Sequence, residues 1–120
     1  MTQEDKELLF KDLCERLPYG VKVKTEEGKH PLPFTPYHLD FYKHDIGEIK
    51  PYLFPMSSMT EEQKNEFDAR TFEIMFGEND DIGYRKLMAF DLDFYNKHHL
   101  DWRGIIEKGL AIDATNLNIY

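Results

Sequence analysis

Two groups of side chains in this chain are of types that do chemistry. His38, Asp40 and His44 stand at even spacing, and His98-His99-Leu100-Asp101 sets two more histidines beside a carboxylate. On an extended strand, period-two spacing brings His38, Asp40 and His44 into one row, and imidazole with carboxylate is a metal-ligand combination. His38 and His44 would lie roughly 20 Å apart at ~3.3 Å per residue and could not share an ion. His38 and Asp40, about 7 Å apart, could, if His98 or His99 arrived from elsewhere in the fold. Adjacent histidines on a helix point roughly 100° apart, which suits them poorly to chelating together. At a helix C-terminus they favour the negative end of the dipole. The alternative to a site is a solvated sheet face with Asp40 near Lys22 and Lys24, and Asp101 acting as a helix cap.

The other reactive candidates are weaker. Cys14 could pair with a histidine as a nucleophile, but it lies on an apolar helical stripe, where free cysteine is core. Ser57 and Ser58 are not in a G-x-S-x-G elbow. H-E-x-x-H, paired C-x-x-C, the EF-hand loop and both glycine-rich phosphate motifs are missing, and no cofactor is expected. Glu78-Asn79-Asp80-Asp81 lacks calcium-ligand spacing. Among the aromatics of the proline-rich half, burial is the default. Phe34, Tyr42 and Phe54 have no assigned inward position and are the candidate partner-binding residues.

The elements that must position these groups follow from pattern. Residues 2–17 read as a helix: Thr2 and Asp5 form a capping box, Leu9, Phe10, Leu13, Cys14 and Leu17 make one stripe, and Pro18 and Gly20 end it. Residues 21–25 alternate as a strand with Val21 and Val23 inward. Residues 37–44 alternate too and predict a second strand, antiparallel to the first. Residues 49–54 predict a third, confined to an edge by Pro51. Thr60 and Gln63 form a second capping box, opening a helix that ends at Gly77. Its inward face is Phe67, Thr71, Ile74 and Met75, with Phe72 and Phe76 beside them. After an acidic loop over 78–83, residues 84–98 fit either period; length and freedom from proline favour helix. Asp101 caps a short helix over 102–108, residues 110–114 return as a strand, and 115–120 form a loose tail. The fold class is therefore α+β: one domain over 1–114, with an N-terminal helix, an antiparallel hairpin or three-stranded sheet, then two or three helices packed on it.

Composition bounds the function. With 120 residues, 41% of them hydrophobic and 14% aromatic, the chain can bury a core without disulfides. The net charge of −8 argues against direct nucleic-acid binding. Residues 1–60 carry 8 basic and 10 acidic side chains, against 7 and 13 in residues 61–120, an asymmetry that would suit a basic partner or simply keep the domain soluble. The N-terminal residues lack a signal-peptide pattern, and no apolar run approaches the ~20 residues of a membrane span, so a cytoplasmic location is expected.

Three blocks, LCERLPYGV (13–21), KPYLFPMSSMTEE (50–62) and HHLDWRGIIEKGLA (98–111), resemble those of a family of short uncharacterised proteins from gut bacteria and their phages or mobile elements. An arginine is common in that family where this chain carries Phe54. The resemblance implies a cytoplasmic accessory protein and transfers no catalytic residue. The reading that follows is a non-enzymatic interaction module, an adaptor or inhibitor. The alternative is a small metal-dependent or acid/base enzyme built on His38, Asp40, His98 and His99.

Overall fold

In the computed structural model, residues 2–26, 28, 30–41, 49–77 and 81–120 are described. Helix α1 spans Gln3–Arg16 and is closed at its start by the expected box. Asp5 N donates to Thr2 Oγ1 at 3.0 Å, and Thr2 N to Asp5 Oδ2 at 3.3 Å. A short 3₁₀ turn, Leu17–Tyr19, follows, and Gly20 at φ 73° turns the chain into the sheet. The buried face of α1 is Leu9, Asp12, Leu13 and Arg16. Phe10, expected on the stripe, is exposed, and Cys14 is half-buried at its margin, its thiol pKa raised by burial and then by Glu15.

Strands β1 (Lys22–Lys24), β2 (Leu32–Pro33), β3 (Lys50–Leu53) and β4 (Ile112–Asp113) form one sheet in the order β2-β1-β3-β4. The first three are antiparallel, with Val23 opposite both Leu32 and Pro51, and β4 lies parallel to β3. Val21 and Val23 face the core as their alternation requires. β3 is central, not an edge, and Pro51 is buried. Pairing with β4 begins at Tyr52, one residue past the proline. The core beneath the sheet joins Leu9 and Leu13 of α1 to Val21, Val23, Phe34, Ile49, Leu53, Ile105, Leu110 and Ala111. Among the described residues no helix is long and apolar enough to cross a membrane.

The strand expected over 37–44 is replaced by helix α2, Pro36–Phe41. Proline at a first helical position has its φ preset and its missing N–H unneeded, and Thr35 stands just before it. Leu39 N and His38 N reach back to the Thr35 carbonyl. The expected row of His38 and Asp40 beside Lys22 and Lys24 disappears with the strand. His44 and Tyr42 lie outside the described residues.

Helix α3, Glu61–Gly77, begins and ends where its cap and glycine predict. Thr60 N donates to Gln63 Oε1 at 3.0 Å and Gln63 N to Thr60 Oγ1 at 3.1 Å. Helix α4, Asp81–Lys97, resolves the ambiguous segment as helix and starts three residues earlier than expected. The two helices pack through Phe67, whose ring meets Phe90, Phe94 and Tyr95 at 5.2 to 5.7 Å. Residues 102–108 form turns instead of the expected helix. Gly104 at φ 73° interrupts helical geometry, and the buried Asp101 carboxylate accepts from Ile105 N and Ile106 N at 2.9 and 3.0 Å. Residues 115–120, expected as a loose tail, dock through Tyr120, whose hydroxyl accepts from Lys22 N at 2.8 Å and donates to the Tyr52 carbonyl at 2.7 Å.

Candidate functional site

The three sequence blocks meet at the segment that leaves α4. His99 adopts a left-handed φ of 57°, which reverses the chain, and Leu100 then bridges Phe54. Phe54 N donates to the His99 carbonyl and Asp101 N to the Phe54 carbonyl, both at 2.8 Å. From α1, Arg16 donates to the Leu100 carbonyl at 2.7 Å. Arg16 and Asp12 are fully buried and paired at 2.9 Å; Arg103 reaches Asp12 at 2.7 Å and Glu15 at 2.6 Å while stacking on Trp102. A buried pair of this kind fixes geometry, because each charge without its partner would be stranded in a low dielectric. The Asp12 carboxylate engages two guanidinium groups at once, so this cluster serves the fold.

Beside that lock a pocket of about 230 Å³ opens between the β3–α3 connection and the last turn of α4. Phe54 and Leu100 supply apolar lining; Ser58, Thr60, Gln63, His98, Thr115 and Asn116 supply polar groups. His98 packs on Phe94 at 4.5 Å, and its Nδ1 lies 3.3 Å from Gln63 Nε2. Its Nε2 is buried and has no partner among the described residues. Burial lowers the His98 pKa, with Glu66 opposing and Lys97 assisting. His99 points elsewhere. Its ring stacks on Tyr120 at 3.8 Å, and burial, then the positive charge of Arg16, pushes its pKa down to about 4. Burial raises the Tyr120 phenol to about 12.

The sequence-expected residues are therefore divided. His38 takes Thr35 N on its Nδ1 at 3.1 Å and lies against Phe34, while Asp40 is exposed on α2. Among the described residues no group of three or more His, Cys, Asp or Glu side chains is placed to hold a metal ion. Phe34, a partner-binding candidate, is 3% exposed and belongs to the core. Phe54 is half-buried against Tyr120 and lines the pocket. The caps are as read at Thr2 and Thr60, and Asp101 caps a turn.

Sequence reasoning missed the apolar surface of α3. Phe72, Met75 and Phe76 were expected inward, yet they are 61%, 54% and 74% exposed, with the Phe72 and Phe76 rings 4.2 Å apart. No residue of α3 is buried. The available signal was angular width. Phe67, Thr71 and Ile74 already make one face, and α4 covers only that face, so residues 72, 75 and 76 at i, i+3 and i+4 make a second. No protein-family model, curated protein or solved structure matches this chain.

Proposed function

We propose that this domain is a non-enzymatic interaction module whose docking surface is the outward face of α3, and that its partner presents a basic amphipathic helix. One observation carries this reading: three large apolar side chains stand exposed on one face of a helix. Scattered exposed apolar residues need no explanation, but a cluster at helical spacing does. An amphipathic helix laid along α3 would meet Phe72, Met75 and Phe76 as i, i+3, i+4 anchors. The sign of the partner follows from the rim. Within α3 stand Glu61, Glu62, Glu66, Asp68 and Glu73 against only Lys64 and Arg70, and Arg70 is already paired with Glu73 at 2.8 Å. Complementary charge would steer encounter while the aromatic anchors supply affinity. An adaptor or inhibitor in a cytoplasmic, accessory or phage-derived setting is consistent with the three-block resemblance.

The test is fluorescence anisotropy with a synthetic 18-residue Leu/Lys amphipathic helix. The double variant F72S/F76S retains every charge of α3. Binding weakened at least tenfold by that variant, and reduced by added salt, supports the reading. Equal binding by both proteins reduces it to nonspecific charge attraction and overturns it, as does absence of binding. Light scattering that shows a stable dimer lost in F72S/F76S would assign the face to a second copy instead.

A further inference from the structure

Tyr120 is seated at the end of the β1–β3 ladder, and its seat uses none of the α3 face. The register sets Val23 opposite Pro51 and Lys24 opposite Lys50, so Lys22 falls opposite Tyr52. Proline has no N–H to exchange, so Val23–Pro51 is the kind of pair that makes no mutual hydrogen bonds, and the pairs on either side are the kind that does. Lys22 N is therefore aimed at the Tyr52 carbonyl. The Tyr120 hydroxyl stands between them, accepting from Lys22 N at 2.8 Å and donating to the Tyr52 carbonyl at 2.7 Å. Its ring is stacked on His99 at 3.8 Å and lies 5.7 Å from Phe54. Lys22 Nζ donates to the carbonyl of the preceding residue, Ile119, at 2.6 Å.

The two backbone groups under the hydroxyl can be satisfied in two ways. With the tyrosine in place each bonds to it; with the side chain gone, donor and acceptor face one another as the next pair of the ladder. Departure of the tyrosine therefore strands neither group, and the usual penalty for an unpaired buried donor does not hold it in place. The segment that carries it lies on the surface: residues 115–118 are exposed, Asn116 and Asn118 sit at left-handed φ of 68° and 54°, and Tyr120 itself is 41% exposed. We infer that residues 115–120 are a releasable strap, and that the seat of Tyr120 is a tyrosine-binding site, filled in cis by the chain's own side chain and available in trans to the tyrosine of a peptide. The selection is chemical. A phenol oxygen both accepts and donates, as the Lys22–Tyr52 gap requires, whereas a phenylalanine ring holds the strands apart and satisfies neither group. The flat His99 imidazole takes the face of the ring, and Lys22 Nζ takes the carbonyl before the tyrosine, a group every peptide supplies. Phe54 also lines the adjoining pocket of about 230 Å³, which leaves room beside the seat for the rest of the peptide.

The probe is the capped tripeptide acetyl-Asn-Ile-Tyr-amide, with its phenylalanine counterpart as the control. Full-length Tyr120→Ala, isotope-labelled, is titrated with each and followed by proton–nitrogen correlation spectra. The tyrosyl peptide is expected to shift the Lys22 and Phe54 amides saturably, in about the millimolar range for so small a ligand. The phenylalanyl peptide should bind at least about fivefold more weakly, as the loss of a hydrogen-bonding hydroxyl requires. Release of the strap is read in the unsubstituted protein, labelled with meta-fluorotyrosine and assigned by comparison with Tyr120→Phe. Saturation-transfer fluorine spectra should show Tyr120 exchanging with a second, solvent-exposed state of about 1% or more, and the peptide should raise that population. A folded Tyr120→Ala without saturable shifts, or equal binding of the two peptides, overturns the binding site. A single Tyr120 state that the peptide leaves unchanged overturns the strap, and that measurement decides alone if the alanine variant does not fold.

Discussion

Asp12→Ala is the sharpest test of how this fold is held. Asp12 and Arg16 have side chains with no exposed surface, and Arg103 is only 7% exposed. The Asp12 carboxylate accepts from Arg16 Nε at 2.9 Å and from Arg103 Nη1 at 2.7 Å. Alanine would leave the Arg16 guanidinium in the interior with the Leu100 carbonyl as its acceptor, and its Nη1 is already without a partner among the described residues. Breaking a buried pair from one side costs about 3–5 kcal/mol, out of a total stability on the order of 5–15. For a chain of this length that is a fall in melting temperature of about 10–20 °C. Urea unfolding at pH 7, followed by far-UV circular dichroism, measures it. Fluorescence of Trp102, which stacks on Arg103 at 4.0 Å, reports the same cluster locally. Arg70→Ala is the comparison, because its pair with Glu73 is 62% and 66% exposed and should contribute no more than about 0.5 kcal/mol. A loss below about 1 kcal/mol in Asp12→Ala, with unchanged urea dependence, would refute the claim that this carboxylate locks α1 to the segment after α4.

Stability should also depend on pH through His99. Its folded pKa of about 4 lies below the ordinary 6.5, so the unfolded chain takes up the proton first as pH falls. The contribution is complete above pH ~6.5 and is lost progressively down to pH ~4, by about 1 kcal/mol between pH 7 and 4.5 once solvent screening of this half-buried ring is allowed for. His99→Asn, which tolerates the left-handed backbone, should flatten that slope in urea titrations at the two pH values. Tyr120→Phe keeps a ring to stack on His99 but leaves Lys22 N without its hydroxyl partner and removes the bond to the Tyr52 carbonyl; a cost of about 1–2 kcal/mol is expected by thermal unfolding. Thr60→Ala removes the cap of α3 at a cost of about 1 kcal/mol, and by freeing Gln63 it should broaden the His98 ring signals. Asp91 has a carboxylate oxygen buried without a partner among the described residues and a pKa raised by burial, so Asp91→Asn should stabilise the protein at pH 7 by about 0.5–1 kcal/mol, read from the same urea curves.

The candidate site was legible only in pieces. His98, His99 and Phe54 were each singled out, but for metal binding or partner contact. The side chain that meets His98 Nδ1 is Gln63, 35 positions earlier, and it was read as a cap alone. His38 and Asp40 lost their candidacy when Thr35-Pro36 started a helix where alternation suggested a strand. Phe72, Met75 and Phe76 fit a helical stripe, and only the placement of α4 shows that it covers the neighbouring stripe instead.

What the sequence determined by itself is what neighbours a few residues apart can settle. The starts of α1 and α3 are capping boxes spanning three residues, the end of α3 is a glycine, and the inward sides of Val21 and Val23 follow from strand period. Each depends on torsions and hydrogen bonds inside one segment, so the α+β class was readable with them. The tertiary structure decided what depends on partners far apart in the chain. Pro51 became central because β4 closes the other side of β3, and Tyr120 docked because Lys22 N, 98 residues earlier, supplies a donor. Asp12 found Arg103 across 91 residues. Those contacts form only when the core brings distant segments together, and a one-dimensional pattern carries no record of which buried donor will meet which acceptor.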